Sequence, residues 1–337
     1  PFNDRDLEAL NLKLDINFDG FDLTVMGATK QREQFFHWDA GLYLGVFDDV
    51  STMLVRQDEE FDSNTFEGRL VSTGDGPIEW IAGVWYEKED GNDLASNFST
   101  IVQTPRTDLV LFGVPVVDGT VLQNPVGFKD AEELAVYGEV GYRFTDQAKL
   151  TLGYRRANLK LDSGILSATG LFDAGRRATI GVDESTEEDI NTYKIHFEYR
   201  FNEDILVYAL ASSGYRAGGF NRSGLTALSA ASKYESDSLW NYEVGVRTSW
   251  LDNRLTANTV AYYIDWSDMQ LRTFDLATLA RKIQNVGKAD VFGLETEIRY
   301  QATDNLQLSM NYGYTDASLA EDLLDPRTTP PTVEAAE

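Results

Sequence analysis

The sequence predicts an all-β protein: an antiparallel transmembrane β-barrel with short periplasmic turns and long extracellular loops. Three observations predict it. The strands alternate strictly between apolar and polar residues, tight turns alternate with long connections, and the polar faces carry charges of both signs. The alternation is clearest in NTYKIHFEYRF, residues 191–201, where Tyr193, Ile195, Phe197, Tyr199 and Phe201 interleave with Thr192, Lys194, His196, Glu198 and Arg200. Successive strand side chains point to opposite faces, so one face is wholly apolar and the other wholly polar. In a membrane barrel the first meets lipid and the second a wet interior.

Taken in order, ALNLKLDINF places Leu10, Leu12, Leu14, Ile16 and Phe18 on one face and Asn11, Lys13, Asp15 and Asn17 on the other. The dipeptide Asp19-Gly20 then leads into FDLTVMGATKQ, a hairpin signal. AVYGEVGYRF and KLTLGYRR flank the turn TDQ, and ILVYALASSGYR returns after NED. LWNYEVGVRTSW runs through LDN into RLTANTVAYYIDW, and VFGLETEIRY and LQLSMNYGY flank ATDN. About twelve strands, as six hairpins, are expected. The turns DG, TGDG, TDQ, NED, LDN and TDN are tight, whereas about 33–56, 90–130, 162–188, 216–236 and 267–288 read as long loops. Short turns at one end and long loops at the other suit a membrane barrel better than a soluble sandwich, whose loops are short at both ends.

The polar faces bear Glu139, Arg143, Lys194, Glu198, Arg200, Glu243, Arg247, Glu295, Glu297 and Arg299, a mixture suited to compensating pairs in a water-filled lumen. Tyr142, Phe144, Trp250, Trp266 and Tyr300 lie near strand ends, as interfacial aromatic girdles require. The competing architecture is a large soluble β-sandwich or solenoid.

Composition excludes several functions. With 29 Lys and Arg against 55 Asp and Glu the net charge is -26, which argues against nucleic acid as a partner. There is no cysteine, hence no disulfide or thiolate chemistry, and His37 and His196 form no metal-binding motif. No run approaches the roughly 18 apolar residues of a membrane helix. The longest, LVLFGVPVV, is broken by Gly and Pro. No catalytic constellation or cofactor motif is present, so neither an enzyme nor a bound cofactor is expected. The chain starts at Pro1 without a leader, which reads as a mature form or a fragment.

Several stretches carry a resemblance. SSGYRAGGFN at 212–221, LWNYEVGVRTSWLDNRLTANTVAYYIDWSDMQ at 239–270 and NVGKADVFGLETEIRY at 285–300 resemble the barrel of TonB-dependent outer-membrane receptors. EFDSNTFEGRLVS followed by IEWIAGVWYEKED, residues 60–90, resembles an earlier hairpin of that barrel. The resemblance implies a barrel of about 22 strands filled by an N-terminal plug. It also implies uptake of a scarce substrate, foremost a ferric siderophore, driven by the TonB-ExbB-ExbD complex. Lipopolysaccharide and outer-membrane lipid would surround it. No plug or energy-coupling segment is recognisable before residue 1, and the chain ends at TTPPTVEAAE. Residues 1–337 are therefore expected to be a partial barrel domain without plug or C-terminal strands. The alternatives in other classes are a passive porin and a soluble β-rich adhesin or carbohydrate-binding protein.

Candidate binding residues lie in two loops. Residues 216–234 carry Arg216, Arg222 and Lys233 with no acid, and 267–288 carry Arg272, Arg281, Lys282 and Lys288 against Asp268 and Asp275. Side by side at the mouth, they would focus an anionic substrate, or alternatively meet lipopolysaccharide phosphates. Tyr215, Phe220 and Tyr234, with Asn221, flank the first loop and could stack on a catecholate or sugar, or simply pack. Gly218-Gly219 reads as a bend rather than a phosphate cradle, since no helix follows. DESTEED supplies Asp183, Glu184, Glu187, Glu188 and Asp189, hard oxygen donors that raise a calcium hypothesis against the plainer one of a solvated loop.

Overall fold

A computed structural model describes residues 2–39, 52–92, 98–103, 110–111, 114–169, 183–221, 233–275, 280–320, 323–324 and 333–334. Twelve long strands form one sheet in sequence order: β1 Phe2–Phe18, β2 Phe21–Asp39, β3 Thr52–Ser72, β4 Ile78–Asn92, β5 Val121–Arg143, β6 Ala148–Thr169, β7 Asp183–Arg200, β8 Ile205–Arg216, β9 Asp237–Trp250, β10 Leu255–Ser267, β11 Ala289–Thr303 and β12 Leu306–Leu319. Every neighbouring pair is antiparallel, and Phe98–Gln103 adds a thirteenth strand between the far ends of β3 and β5. This is the all-β hairpin order that the alternation predicts. The sheet is not closed among the described residues. β1 and β12 each have one neighbour, and β12 is exposed along nearly its whole length.

The six tight turns lie at one end of the sheet and are chained together by backbone hydrogen bonds. Thr73 N donates to Gly20 O, Arg143 N to Pro77 O, Arg200 N to Gln147 O, Ser249 N to Asp204 O and Gln301 N to Arg254 O. Gly20 takes φ +92°, a conformation that a residue bearing a Cβ rarely adopts.

The two faces divide as expected. On the apolar side Tyr193 (47%), Ile195 (49%) and Phe197 (42%) are exposed, as are Leu152, Val136, Val140 and Val244 on other strands. Near the turns this face carries ring pairs Phe18–Phe21, Tyr142–Phe144 and Tyr199–Phe201. Higher up, Tyr154, Tyr193, Trp240, Tyr242 and Tyr263 form a continuous series with centroids 5.5, 6.3, 6.1 and 6.5 Å apart. The eight-residue step from Phe201 to Tyr193 is about 26 Å along the strand, or about 19–22 Å of height at a tilt of 35–45°. That approximates the apolar band of a membrane barrel, bounded by two aromatic belts.

The opposite face is wired by polar contacts. Glu79 accepts from Arg143 and Lys149, Lys194 pairs with Glu139 at 3.0 Å, and Arg155 pairs with Glu133. Tyr137, Tyr208 and Tyr262 stand directly opposite Gly83, Gly245 and Gly293, and each ring fills the space where the glycine's Cβ would sit. Here glycine is required by the close approach of a ring, which covers otherwise bare backbone.

Two expectations need correction. The strands run 12–23 residues, the longer ones well beyond the 9–11 or so needed to cross a bilayer. Much of 33–56, 90–130 and 162–188 is therefore strand rather than loop. Above the membrane both faces of a strand are wet, so the apolar period that marks a strand in sequence disappears. Trp266 does not join the lipid-facing girdle. It stands alternate to Ile264 and Tyr262 on the polar face, with the Arg216 guanidinium 4.6 Å from its ring.

Candidate functional site

The loop end of β7–β11 gathers the sequence-predicted residues, and one buried carboxylate organises it. β8 ends at Arg216, directly opposite Asp237 at the start of β9. The Asp237 side chain is 1% exposed. It accepts from Arg216 Nε (2.9 Å), from the Arg216 terminal NH2 group, from the Arg216 amide (3.2 Å) and from the Gln270 amide (3.0 Å). Burial alone would push this carboxyl up. The Arg216 guanidinium and the Gln270 amide outweigh it and hold the group below the ordinary carboxylate range.

From this anchor the two long connections are joined side to side. Gln270 Nε2 donates to Ala217 O (2.9 Å) and Glu235 O (3.0 Å). Asn285 Nδ2 donates to Glu235 O (2.8 Å) and Asp268 O (2.9 Å), while its Oδ1 accepts from Glu235 N (2.7 Å). Asn221 pairs with the Ile283 backbone at both ends, donating to its carbonyl and accepting from its amide, each at 2.6 Å. Two short hairpins stand on this base: Gly219–Phe220 with Lys233–Tyr234, and Gln270–Asp275 with Ala280–Asn285. The first is tied to the inner wall, where Ser236 Oγ donates to Glu188 and Lys233 Nζ lies 3.7 Å from the same carboxylate.

The expected residues therefore fall into distinct environments. Arg216 is engaged by Asp237, and Asn221 by Ile283. Tyr215 donates to Glu133 (3.1 Å) and accepts from Arg155 (3.4 Å). Phe220 and Tyr234 line a cavity of about 100 Å³ with Lys129, Leu161 and Ser163. A Cβ on Gly219 would meet the Tyr234 ring and one on Gly218 the Tyr234 carbonyl, so close packing explains both glycines. Arg272 is exposed and opposite Ile283. Arg281 and Lys282 belong to the second hairpin's strand, opposite Phe274 and Thr273, and Arg222 lies outside the described residues.

The stretch DESTEED, expected as a loop, is instead the first part of β7, paired with β6 from Asp183↔Gly164 to Asp189↔Asn158. Strand alternation puts Glu184 and Glu188 on the face opposite to Glu187. Glu187 accepts from Asn158, and Glu188 faces Ser236 and Lys233. Among the described residues no group of three or more His, Asp or Glu is placed to hold a metal ion. Sequence reasoning missed Asp237, Gln270 and Asn285. Counting loop charge over 216–234 stopped one residue short of Glu235 and three short of Asp237, the carboxylates that meet Lys233 and Arg216.

An apolar belt facing out, an ion-paired wall facing in, chained turns below and stitched loops above define the wall of a wide outer-membrane β-barrel. The family model described as "TonB dependent receptor-like, beta-barrel" matches residues 1–333, and the chain belongs to that family. It is 27% identical over 175 residues to the pesticin receptor of Yersinia pestis, a match covering 52% of this chain and 24% of that receptor. In fold it is similar to the ferric yersiniabactin uptake receptor FyuA from Yersinia pestis (TM-score 0.74, 19% identity), covering 94% of this chain and 43% of that one. The siderophore receptor PiuA from Acinetobacter baumannii gives a TM-score of 0.67 at 17% identity, covering 98% and 49%. At such identities the two structures speak to fold alone. The matched stretch spans about a quarter of the pesticin receptor's length, and the chain covers under half of either structure's.

Proposed function

We propose that this chain is part of the barrel wall of a receptor that captures a scarce substrate at the outer mouth and imports it with energy from the TonB-ExbB-ExbD complex, acting through a plug domain. The substrate proposed is a ferric siderophore. The observation that carries the reading is the pairing of an ion-paired inner wall with a mouth whose two connections are hydrogen-bonded into a shaped rim. A fixed rim suits capture of one substrate, whereas a passive pore selects by size and charge. Two receptors of similar fold, the ferric yersiniabactin uptake receptor FyuA and the siderophore receptor PiuA, favour the substrate class, and the basic residues Arg222, Arg272, Arg281 and Lys282 suit an anionic chelate. No bond is made or broken by the chain, so no catalytic residue is assigned.

The test reverses charge at Arg222 and Arg281 in the whole receptor and measures uptake of labelled ferric chelates by cells. Affinity for the chelate should fall while outer-membrane integrity, read by exclusion of large hydrophobic antibiotics, is unchanged. Loss of integrity with unchanged uptake would assign these residues to lipopolysaccharide instead. Uptake that persists after collapse of the inner-membrane proton gradient would mean a passive porin.

A further inference from the structure

We infer that the described parts of the connections after β8 and β10, residues 217–221 with 233–236 and 268–275 with 280–288, form one mechanical body, with Asp237 and Asn221 as the positioning residues that lock each to the other. The inference rests on the reading of the mouth as a capture site, and it adds that the two connections are presented to substrate in one fixed relative position.

The geometry is unusually specific for a loop region. Asn221 and Ile283, 62 positions apart, make a two-way amide–backbone pair, which fixes orientation as well as distance. Gln270, in the second connection, donates to two carbonyls of the first, and Asn285 binds Glu235 in both directions. Asp237 then binds both connections at their base, taking the Arg216 amide and guanidinium from one side and the Gln270 amide from the other. Arg216 closes the ring by donating to Gln270 O at 3.1 Å while covering Trp266. Independent loops would satisfy these carbonyls and amides with water, and each would lose order separately. Here each connection supplies backbone partners to the other's side chains: the Asn221 and Asp237 contacts are part-buried, where an amide or carbonyl without its partner is costly, and the Gln270 and Asn285 side-chain contacts are exposed. Opening one therefore exposes unpaired groups in the other, and the pair opens together.

The test uses amide hydrogen exchange in the whole receptor in detergent micelles. Asn221→Ala lies in the first connection. It should speed exchange in 283–286 of the second by roughly fivefold to thirtyfold, the loss of two hydrogen bonds. Asn221→Asp keeps the acceptor for the Ile283 amide but sets its second oxygen against the Ile283 carbonyl, so protection at that amide should return only in part, to between the Asn and Ala values. Gln270→Ala, in the second connection, should speed exchange at 217–221 and 233–236 of the first. Exchange within β10 should not change, which separates uncoupling from general unfolding. Asp237→Asn should speed exchange at the Arg216 and Gln270 amides alike; where it does not fold, Asn221→Ala and Gln270→Ala carry the test. Acceleration confined to the connection bearing each substitution would overturn the inference. The exchange readout needs no ligand, so it stands or falls apart from the transport reading. Chelate uptake by the same variants in cells reports that reading separately: affinity should fall with maximal rate retained.

Discussion

Phe197→Arg against His196→Arg places the same new side chain on opposite faces of one strand, one residue apart. Phe197 sits four residues from Tyr193 and four from Phe201, midway between the two aromatic belts, and is 42% exposed on the apolar face. At roughly 3.3 Å per residue it lies about 13 Å along the strand from either belt, about 10 Å in height, near the bilayer midplane. An arginine there loses apolar contact with lipid and must be solvated in hydrocarbon, at about 2–4 kcal/mol. Its length allows it to reach toward an interface, which favours the lower half of that range. His196 points the other way. It lines a concavity of about 410 Å³ with Glu139, Glu198, Lys194 and Lys149, its Nδ1 lies 3.6 Å from Glu198, and its ring is 5.6 Å from Tyr208. Arginine there stays in a wet, acid-containing site and should cost under about 1 kcal/mol. The assay is reversible urea unfolding of the whole receptor from lipid vesicles, comparing midpoints and slopes of the two variants. Equal costs, or the larger at His196, would refute the assignment of faces and with it the membrane reading of the apolar band.

The glycine–tyrosine pairs give a second test: a Cβ on Gly245 would collide with the Tyr208 ring, so Gly245→Ala must displace it, at about 1–3 kcal/mol. Tyr208→Ala in the same chain should absorb most of that cost, and a double-mutant cycle in urea that came out additive would show that the ring is not what the glycine accommodates. The mouth should also respond to acid. Asp237's folded pKa lies below its unfolded value of about 3.9, so its contribution is fully present above that value and is lost as pH falls through the folded pKa. Protection of the Gln270 amide should hold from pH 7 to 5 and fall only below about pH 4; loss near pH 6 would implicate another group.

What the sequence makes legible here is whatever repeats every two residues within one strand. Tyr193 to Phe201, Leu306 to Tyr314 and the six turns could be placed because lipid on one side and water on the other impose a local alternation that needs no partner to be recognised. Beyond the belts that asymmetry ends. β7 begins with DESTEED, and with water on both faces polar side chains serve either side equally, so a paired strand there reads as a loop. Trp266 failed for a different reason: proximity to a strand end does not say which face a residue occupies, and a one-residue shift changes the answer. The mouth was hidden more deeply. Arg216 and Asn221 were identified as residue types suited to a ligand, yet the same donors serve the fold when Asp237 and Ile283 are brought to them. Such partners lie 21 and 62 positions away, with no period linking them. Loop charge counted along the chain thus overstates what the mouth offers a substrate. The basic character left for an anion rests on the residues that the junction does not use, with Arg272, exposed opposite Ile283, the clearest of them among the described residues.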